Sequence, residues 1–276
     1  MLVNPLFATK LRFGPISSWY TFTSCDAART AIQTGSIRLF YPLIAVANLR
    51  ISESFSSLQG EGLLAGAPST FVRISGCNLR CVWCDTPYAS WNPEGPVLSI
   101  DAIMEQAKSF GNRNIVITGG EPMIFDATSD LCRRLKDAGH HITIETAGTV
   151  FRELECDLMS ISPKLSHSTP TDDAVWADRH ETTRLNFEAL NSLLSSYPSQ
   201  LKFVVAAESI DRDVSEIEQI LTQLQIGDAP VFLMPEGRDV SRIWETARLL
   251  VKVCVEKGWR LGPRLQIDLF GDTRAT

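Results

Sequence analysis

Hydrophobic residues follow two alternating patterns from about residue 47 to the end of the chain. Short runs that are rich in β-branched residues and bounded by turn residues predict strands over residues 70–74, 114–118, 141–145, 158–161, 201–205, 231–234 and 265–269. Apolar residues at helical spacing, followed by a glycine, predict helices within residues 131–138, 217–224 and 243–254. Strands that alternate with helices are typical of a parallel sheet, whose functional residues lie at the carboxyl ends of its strands.

The number of these units predicts an α/β fold, in the form of an incomplete, open parallel β/α barrel of about six strands. A closed eight-stranded barrel takes about 250 residues, whereas roughly 200 residues here supply the alternating pattern. The polar stretch at residues 166–183 interrupts the alternation and predicts a loop insertion or a lid.

Residues 1–45 differ from the rest of the chain in charge. They carry a net charge of +3, which leaves −9 on the remaining 231 residues of a chain whose net charge is −6. Three interpretations stay open: a transit peptide, a small added element, or upstream sequence joined to the protein. We favour the third because a strand pattern begins abruptly near Val46, and a valine codon can serve as a start. We therefore predict one domain over residues 46–276 and leave residues 1–45 unassigned, as a mis-started or disordered extension.

Composition excludes several classes of protein. The chain is 44% hydrophobic and 21% charged, which excludes a disordered chain and a coiled coil. Its acidic balance gives no basic footprint for nucleic acid or phospholipid, so a small-molecule substrate is predicted, with no nucleic-acid or membrane partner. Seven cysteines without a secretory signal argue against a disulfide framework and for reduced thiols in the cytoplasm.

Three of the cysteines lie within eight residues, directly after a predicted strand: Cys77, Cys81 and Cys84. This spacing suits three corners of a [4Fe–4S] cluster and leaves the fourth iron open, as in a catalytic site. A structural zinc site is a weaker alternative, because the remaining candidate ligands are distant: Cys132, Cys156, His140 and His141. A thioredoxin-like pair of Cys81 and Cys84 would leave Cys77 unexplained.

With Trp83 before the last cysteine, this spacing resembles the cluster motif of the radical S-adenosylmethionine superfamily. Residues 118–122 (Thr-Gly-Gly-Glu-Pro) lie at the end of a predicted strand and resemble the second motif of the superfamily. Within the superfamily, the chain resembles the 7-carboxy-7-deazaguanine synthase family over residues 47–276. The further matching segments are Ser-Leu-Gln-Gly-Glu-Gly at 57–62, Phe-Val-Arg at 71–73, Cys-Asp-Thr at 84–86, Ser-Pro-Lys at 162–164 and Leu-Met-Pro-Glu-Gly at 233–237.

The resemblance implies an enzyme, a carbon–nitrogen lyase. Its reaction would convert 6-carboxy-5,6,7,8-tetrahydropterin to 7-carboxy-7-deazaguanine with loss of ammonia. This step belongs to the biosynthesis of queuosine and other 7-deazapurines, and so to a tRNA modification pathway. The resemblance also implies a [4Fe–4S] cluster, S-adenosylmethionine and Mg²⁺ as cofactors, a reducing partner such as flavodoxin or ferredoxin, and a homodimer.

The resemblance also assigns roles to residues. The cluster ligands would be Cys77, Cys81 and Cys84, and the magnesium ligand would be Thr86. Contacts to S-adenosylmethionine would come from Trp83, Cys84, Asp85, Gly120, Glu121, Ser162, Pro163, Lys164, Leu233, Met234, Pro235 and Glu236. The substrate would bind to Leu58, Gln59, Gly60, Glu61, Arg73, Thr118 and Thr276. Among these, the planar guanidinium of Arg73 suits the substrate carboxylate.

One departure from the family pattern and two other functions stay open. Some family members have a histidine near the C-terminus, where residues 264–268 of this chain offer Asp268 instead. One alternative function is another radical S-adenosylmethionine enzyme, such as an activase that installs a glycyl radical. Residues 58–62 and 84–86 would then lack an explanation. The other alternative is a non-enzymatic metal-binding or electron-carrier module, which requires a site saturated by four ligands.

Overall fold

The computed structural model describes residues 47–276, so the prediction for residues 1–45 lies outside the described residues. One sheet runs through this part of the chain, in the strand order β3-β1-β2-β4-β5-β6-β7-β8-β9. The strands are β1 (Asn48–Leu58), β2 (Pro68–Ile74), β3 (Val97–Ser99), β4 (Asn114–Gly119), β5 (His141–Thr146), β6 (Leu158–Ile161), β7 (Ser199–Val205), β8 (Val231–Pro235) and β9 (Arg260–Leu261). The α-helices are α1 (Pro87–Ser90), α2 (Ile100–Phe110), α3 (Ala127–Asp137), α4 (Ala174–Thr183), α5 (Phe187–Ser196), α6 (Ile210–Thr222), α7 (Val240–Lys257) and α8 (Leu265–Phe270).

The sheet is parallel from β2 through β4 to β9, and it does not close on itself. Strands β1 and β3 extend it as an antiparallel edge beside β2. Six of the parallel strands have four residues or more, and β9 adds only two. The predicted open parallel barrel of about six strands is therefore confirmed.

The parallel strands are rich in buried apolar residues because both of their faces are covered. Residues from β2, β4, β5 and β7 join residues of the helices in one continuous core, with Val72, Ile115, Ile142 and Leu201 fully buried. The helices begin and end at residues suited to these positions. For α7, the side chain of Asp239 accepts a hydrogen bond from the amide of Arg242, and the helix ends at Gly258 with a φ of +69°.

One predicted strand is wrong, because residues 265–269 form helix α8. Three alternating apolar residues in so short a segment fit both the two-residue period of a strand and the period of about 3.6 residues of a helix. In the structure Ile267 is buried but Leu269 is 58% exposed, so the alternation does not mark one covered face. The amide of Leu265 donates to the carbonyl of Gly60 at 3.1 Å, outside the sheet ladder.

The predicted loop at residues 166–183 is wrong over its second half, where α4 forms. Asp173 begins this helix and accepts hydrogen bonds from the amides of Val175 and Trp176. The helix lacks an apolar stripe, and the residue that it buries is His180. Hydrophobic periodicity therefore had nothing to detect.

Among residues 47–276, the structure has no helix with an apolar stretch of the length that a membrane span needs.

Candidate active site

A cavity of about 480 Å³ opens at the carboxyl ends of the parallel strands and extends to the loop after β1. Eighteen of the predicted site residues line it: Leu58, Gln59, Gly60, Glu61, Arg73, Cys77, Cys81, Trp83, Cys84, Asp85, Thr86, Thr118, Gly120, Ser162, Lys164, Met234, Glu236 and Thr276. The other four stand outside the lining: Glu121, Pro163, Leu233 and Pro235. The fold thus brings together most of a set of residues that the sequence spreads over more than 200 positions.

The three clustered cysteines lie in one loop after β2, and all of them face this cavity. Burial raises the pKa of Cys77 and that of Cys81 to about 12, so neither is an activated redox thiol. In residues 47–276, no three His, Cys, Asp or Glu side chains converge closely enough to hold a single metal ion. This geometry argues against the zinc alternative. It is compatible with a cluster, in which each thiolate binds a different iron.

Both halves of the 166–183 segment hold the cysteine loop in place. The amide of Arg80 donates to Nδ1 of His180 at 3.0 Å, and Nε2 of His180 lies 2.9 Å from the hydroxyl of Ser168. The carbonyl of Ser168 accepts from the amide of Val82 at 2.9 Å. Burial lowers the pKa of His180 to about 4, so the imidazole is neutral and accepts from Arg80. The contacts that Ser168 and His180 make with the loop are therefore uncharged hydrogen bonds.

Two glycines after β4 allow this strand to approach the cysteine loop. A Cβ atom on Gly119 would lie 1.9 Å from the carbonyl oxygen of Ile74, and one on Gly120 would lie 2.1 Å from that of Gly76. Glu121 follows them and is fully buried. Its carboxylate accepts from the hydroxyl of Thr146 and from the amides of Ala147 and Met123, at 2.7 to 3.0 Å. The side chain of Glu121 therefore joins β4 to β5 behind the cavity wall.

Trp83 and Lys164 form one wall of the cavity beside the cysteines. The ammonium of Lys164 lies 5.7 Å from the ring centre of Trp83 and donates to the hydroxyl and the carbonyl of Ser162. The indole Nε1 of Trp83 is buried and has no hydrogen-bond partner among residues 47–276. A buried polar atom without a partner is uncommon, and here it belongs to a side chain that lines the cavity.

The opposite end of the cavity is built from buried charges. The ammonium of Lys202, which is 2% exposed, donates to Glu61 at 2.8 Å and to Glu145 at 2.6 Å. Gln266 donates to Glu61 at 2.8 Å, and Gln59 donates to Glu145 at 3.3 Å. Burial alone would raise the pKa of Glu61, but Lys202 and then Arg264 lower it to about 2. Both carboxylates raise the pKa of Lys202 despite its burial, so Lys202 and Glu61 are an ionised pair.

Arg264 connects the two ends of the cavity. Its guanidinium lies 2.9 Å from Asp85, next to the last cysteine, and 3.6 Å from Glu61. It also donates to the carbonyl of Gly237 at 2.5 Å. In the C-terminal segment the cavity is lined by Gln266, whereas Asp268, the residue suggested by the sequence, is not part of the lining.

In the buried charged network at one end of this site, the sequence interpretation missed four charged or amide residues: Glu145, Lys202, Arg264 and Gln266. Glu145 and Lys202 lie within strands that were predicted correctly, at 141–145 and 201–205. A charged residue inside a central strand was the available signal, because such a residue is rarely buried without a partner. Arg264 directly precedes helix α8 and Gln266 lies within it. Because this segment was predicted as a strand, the pattern of residues gave no indication that either side chain reaches the cavity.

Arg73 lies at the cavity wall with one side of its guanidinium already engaged. Its Nε donates to Glu53 at 2.6 Å, and its Cζ lies 5.9 Å from the ring centre of Phe55. Thr86 lies near the cysteines, with its hydroxyl 3.9 Å from the sulfur of Cys84. Thr86 precedes helix α1, but its hydroxyl makes no capping hydrogen bond. Thr86 therefore does not cap the helix, which is the usual structural role of a threonine at this position.

Comparison with known proteins identifies the family. The Radical SAM superfamily profile matches residues 71–182. The chain is 42% identical to 7-carboxy-7-deazaguanine synthase of Halobacterium salinarum, over 83% of this chain and 93% of that protein. It is 43% identical to 7-carboxy-7-deazaguanine synthase of Rhodopirellula baltica, over 83% of this chain and 89% of that protein. The crystal structure of QueE from Escherichia coli superposes with a TM-score of 0.60 at 25% identity, over 78% of this chain and 93% of that one.

Each of the two synthases covers more than four fifths of this chain. Their names agree with the predicted lyase and not with an activase or an electron carrier. The chain is an enzyme that belongs to the 7-carboxy-7-deazaguanine synthase family, within the radical S-adenosylmethionine superfamily.

Proposed function

We propose that the cavity binds S-adenosylmethionine beside the cysteine loop and 6-carboxy-5,6,7,8-tetrahydropterin beside Lys202. The product is 7-carboxy-7-deazaguanine, formed with loss of ammonia. The observation that carries the proposal is that one cavity joins three cysteines at one end to a buried network of charges at the other. A pterin carries amide, amine and carboxylate groups, and the second end offers partners for each of them.

The cysteine end fits the cofactors of the family. Cys77, Cys81 and Cys84 would hold a [4Fe–4S] cluster, since they share one loop and leave a fourth position for S-adenosylmethionine. When bound, the two groups supply the one-electron chemistry that removes a hydrogen atom from the substrate. The unpaired indole of Trp83 and the ammonium of Lys164 are available to the bound S-adenosylmethionine.

The remaining predicted contacts to S-adenosylmethionine differ in how they reach it. Asp85, Gly120, Ser162, Met234 and Glu236 line the cavity and would contact the cofactor directly. The residues behind the lining hold these in place: Glu121, Pro163, Leu233 and Pro235. Glu121 does so by accepting hydrogen bonds from β5, while Gly120 lets the backbone approach the cofactor closely.

The charged end would orient the pterin. The terminal nitrogens of Arg73 bind the substrate carboxylate, because its Nε is engaged by Glu53 and its side chain lines the cavity. Glu61 and Gln59 bind polar atoms of the ring system, with Leu58, Gly60, Thr118 and Thr276 completing the walls. Lys202 keeps Glu61 ionised, so that this carboxylate accepts hydrogen bonds from ring amines, and it also donates to Glu145.

Thr86 would hold Mg²⁺ through its hydroxyl, together with oxygen atoms of the substrate and water. Its position at the cavity wall and the absence of a capping bond support this role. We expect Thr86→Ala to raise the Mg²⁺ concentration that gives half-maximal turnover by about tenfold. Binding of S-adenosylmethionine should change little. Titration of activity with Mg²⁺ in both proteins tests the role, and an unchanged magnesium response would refute it.

The resemblance extends the proposal beyond the site. The enzyme would form a homodimer in the cytoplasm and receive electrons from a flavodoxin or a ferredoxin. Its product would serve queuosine or another 7-deazapurine, and so tRNA modification. Six free cysteines among the described residues are consistent with a reducing compartment.

The full chain tests the proposed reaction directly. It is reconstituted anaerobically with iron and sulfide, then incubated with a reductant, S-adenosylmethionine, Mg²⁺ and the tetrahydropterin, and its products are identified by mass spectrometry. We expect 7-carboxy-7-deazaguanine. Cleavage of S-adenosylmethionine to 5′-deoxyadenosine with the pterin untouched would retain the superfamily chemistry and reject the substrate.

A further inference from the structure

Glu53 lies on β1 opposite Arg73 on β2, and the two side chains share one face of the antiparallel pair. Only 11% of the Glu53 side chain is exposed, and both of its carboxylate oxygens are engaged. One oxygen accepts from Nε of Arg73 at 2.6 Å and from the hydroxyl of Tyr88 at 2.9 Å. The other accepts from Nε of Arg274 at 3.3 Å. Nothing in the sequence motifs assigns a role to this carboxylate.

The contacts of Glu53 restrict the orientation of Arg73. A guanidinium has five N–H donors in one plane, so a hydrogen bond at Nε fixes the direction in which the terminal nitrogens point. The Phe55 ring lies 5.9 Å from Cζ and stacks on Phe71 at 4.9 Å, which limits rotation on another side. Arg73 is therefore held by one carboxylate in a way that leaves its terminal donors for a second carboxylate.

Glu53 is itself held by residues from two distant segments. One of them carries Tyr88, whose hydroxyl donates to Glu53 at 2.9 Å. Arg274 stacks on the ring of Tyr88, with its Cζ 3.6 Å from the ring centre, and also pairs with Glu94. The C-terminal residues that carry Arg274 line the mouth of the cavity.

From these contacts we infer that Glu53 is a positioning residue that orients Arg73 toward the carboxylate of the substrate. The inference rests on the proposed function, because it assigns the carboxylate of the tetrahydropterin to Arg73. Glu53 itself does not touch the substrate. Its effect is on the selectivity for a carboxylated pterin, rather than on the chemistry at the cofactor.

The test compares binding of 6-carboxypterin with binding of pterin, which lacks the carboxylate, to the reconstituted full chain in equilibrium dialysis. We expect the wild type to prefer 6-carboxypterin. Glu53→Leu should weaken binding of 6-carboxypterin by about tenfold and leave binding of pterin unchanged, because one charge-assisted hydrogen bond fixes the arginine. Glu53→Gln keeps an oxygen acceptor for Nε and should restore most of the preference. Tyr88→Phe, which removes one hydrogen bond to Glu53, should weaken binding of 6-carboxypterin by about threefold.

Glu94→Leu is the matched control, since Glu94 also pairs with Arg274 but does not contact Arg73. We expect it to change neither dissociation constant by more than about twofold. Unchanged or tighter binding of 6-carboxypterin by Glu53→Leu overturns the inference, as does an equal loss for both ligands. A wild type that binds the two ligands equally instead rejects the assignment of Arg73 in the proposed function.

Discussion

The two ends of the cavity are stabilised by different kinds of interaction. At the cysteine end, the loop that carries Cys77, Cys81 and Cys84 is held by backbone amides and by the neutral imidazole of His180. At the other end, Lys202 is enclosed with two carboxylates, and Arg264 lies close to one of them. Neutral hydrogen bonds each contribute about 1 kcal/mol, whereas a buried charge that loses its partner costs several.

The two ends of the cavity should therefore differ in how they tolerate substitutions. Loss of one hydrogen bond at the cysteine end leaves the other bonds intact. The loop should therefore tolerate substitutions of the residues that surround the three cysteines, but not of the cysteines themselves. Loss of Lys202 at the other end would leave two carboxylates buried without their shared cation. Substitutions at the two ends should therefore fail in different ways: loss of the cluster in the first case and loss of stability in the second.

The largest expected effect is at the cysteine end. Cys81→Ala should abolish both cluster assembly and turnover, because the cluster would lose one of three protein ligands. Cys132→Ala is the matched control, since Cys132 is buried in the apolar core away from the cavity. It should leave both properties nearly intact. Iron content and visible absorption after reconstitution measure the outcome, and full activity in Cys81→Ala would remove the cluster from this loop.

A smaller but general effect is expected at the charged end. Lys202→Met should lower the free energy of unfolding by about 3–5 kcal/mol, because Glu61 and Glu145 would remain buried without their cation. Lys136→Met removes a comparable but partly exposed ion pair, that with Asp157, and should cost about 1 kcal/mol or less. Urea unfolding of the three proteins provides the comparison. Equal costs for the two variants would show that the charged end is no more than an ordinary surface network.

Acid should weaken the charged end in a defined range of pH. The pKa of Glu61 is lowered from 4.5 to about 2, so its contribution to stability is complete above pH 4.5 and is lost as the pH falls toward 2. The difference in unfolding free energy between the wild type and Glu61→Gln should shrink by about 3 kcal/mol across this range. Unfolding in urea at several pH values measures it. A difference that is independent of pH would contradict the ionised network.

The same contrast explains what the sequence predicted. Six strands and the cysteine loop were predictable because each is encoded by neighbouring residues, in alternation or in a short spacing. The contact between Glu61 and Lys202 joins residues 141 positions apart, and that between Glu61 and Gln266 joins residues 205 positions apart. No local pattern encodes such a contact. Family motifs supplied Glu61 but not its partners.

Helix α4 was missed for a related reason. Its buried residue is His180, whose two ring nitrogens are satisfied by Arg80 and Ser168. A helix that packs through a polar side chain has no apolar period, so its sequence resembles that of a loop. The segment expected to be a loop insertion or a lid forms a helix over its second half, and it supports the cysteine loop.

The central claim is that one cavity joins two ends that can be disabled separately. It is tested most directly by measuring 5′-deoxyadenosine and 7-carboxy-7-deazaguanine in parallel, for the reconstituted wild type and for Arg73→Met. The account predicts that Arg73→Met lowers formation of 7-carboxy-7-deazaguanine by about a hundredfold or more. Cleavage of S-adenosylmethionine without pterin should stay within about twofold of the wild type. A parallel loss of both products, or no loss of either, would contradict the claim.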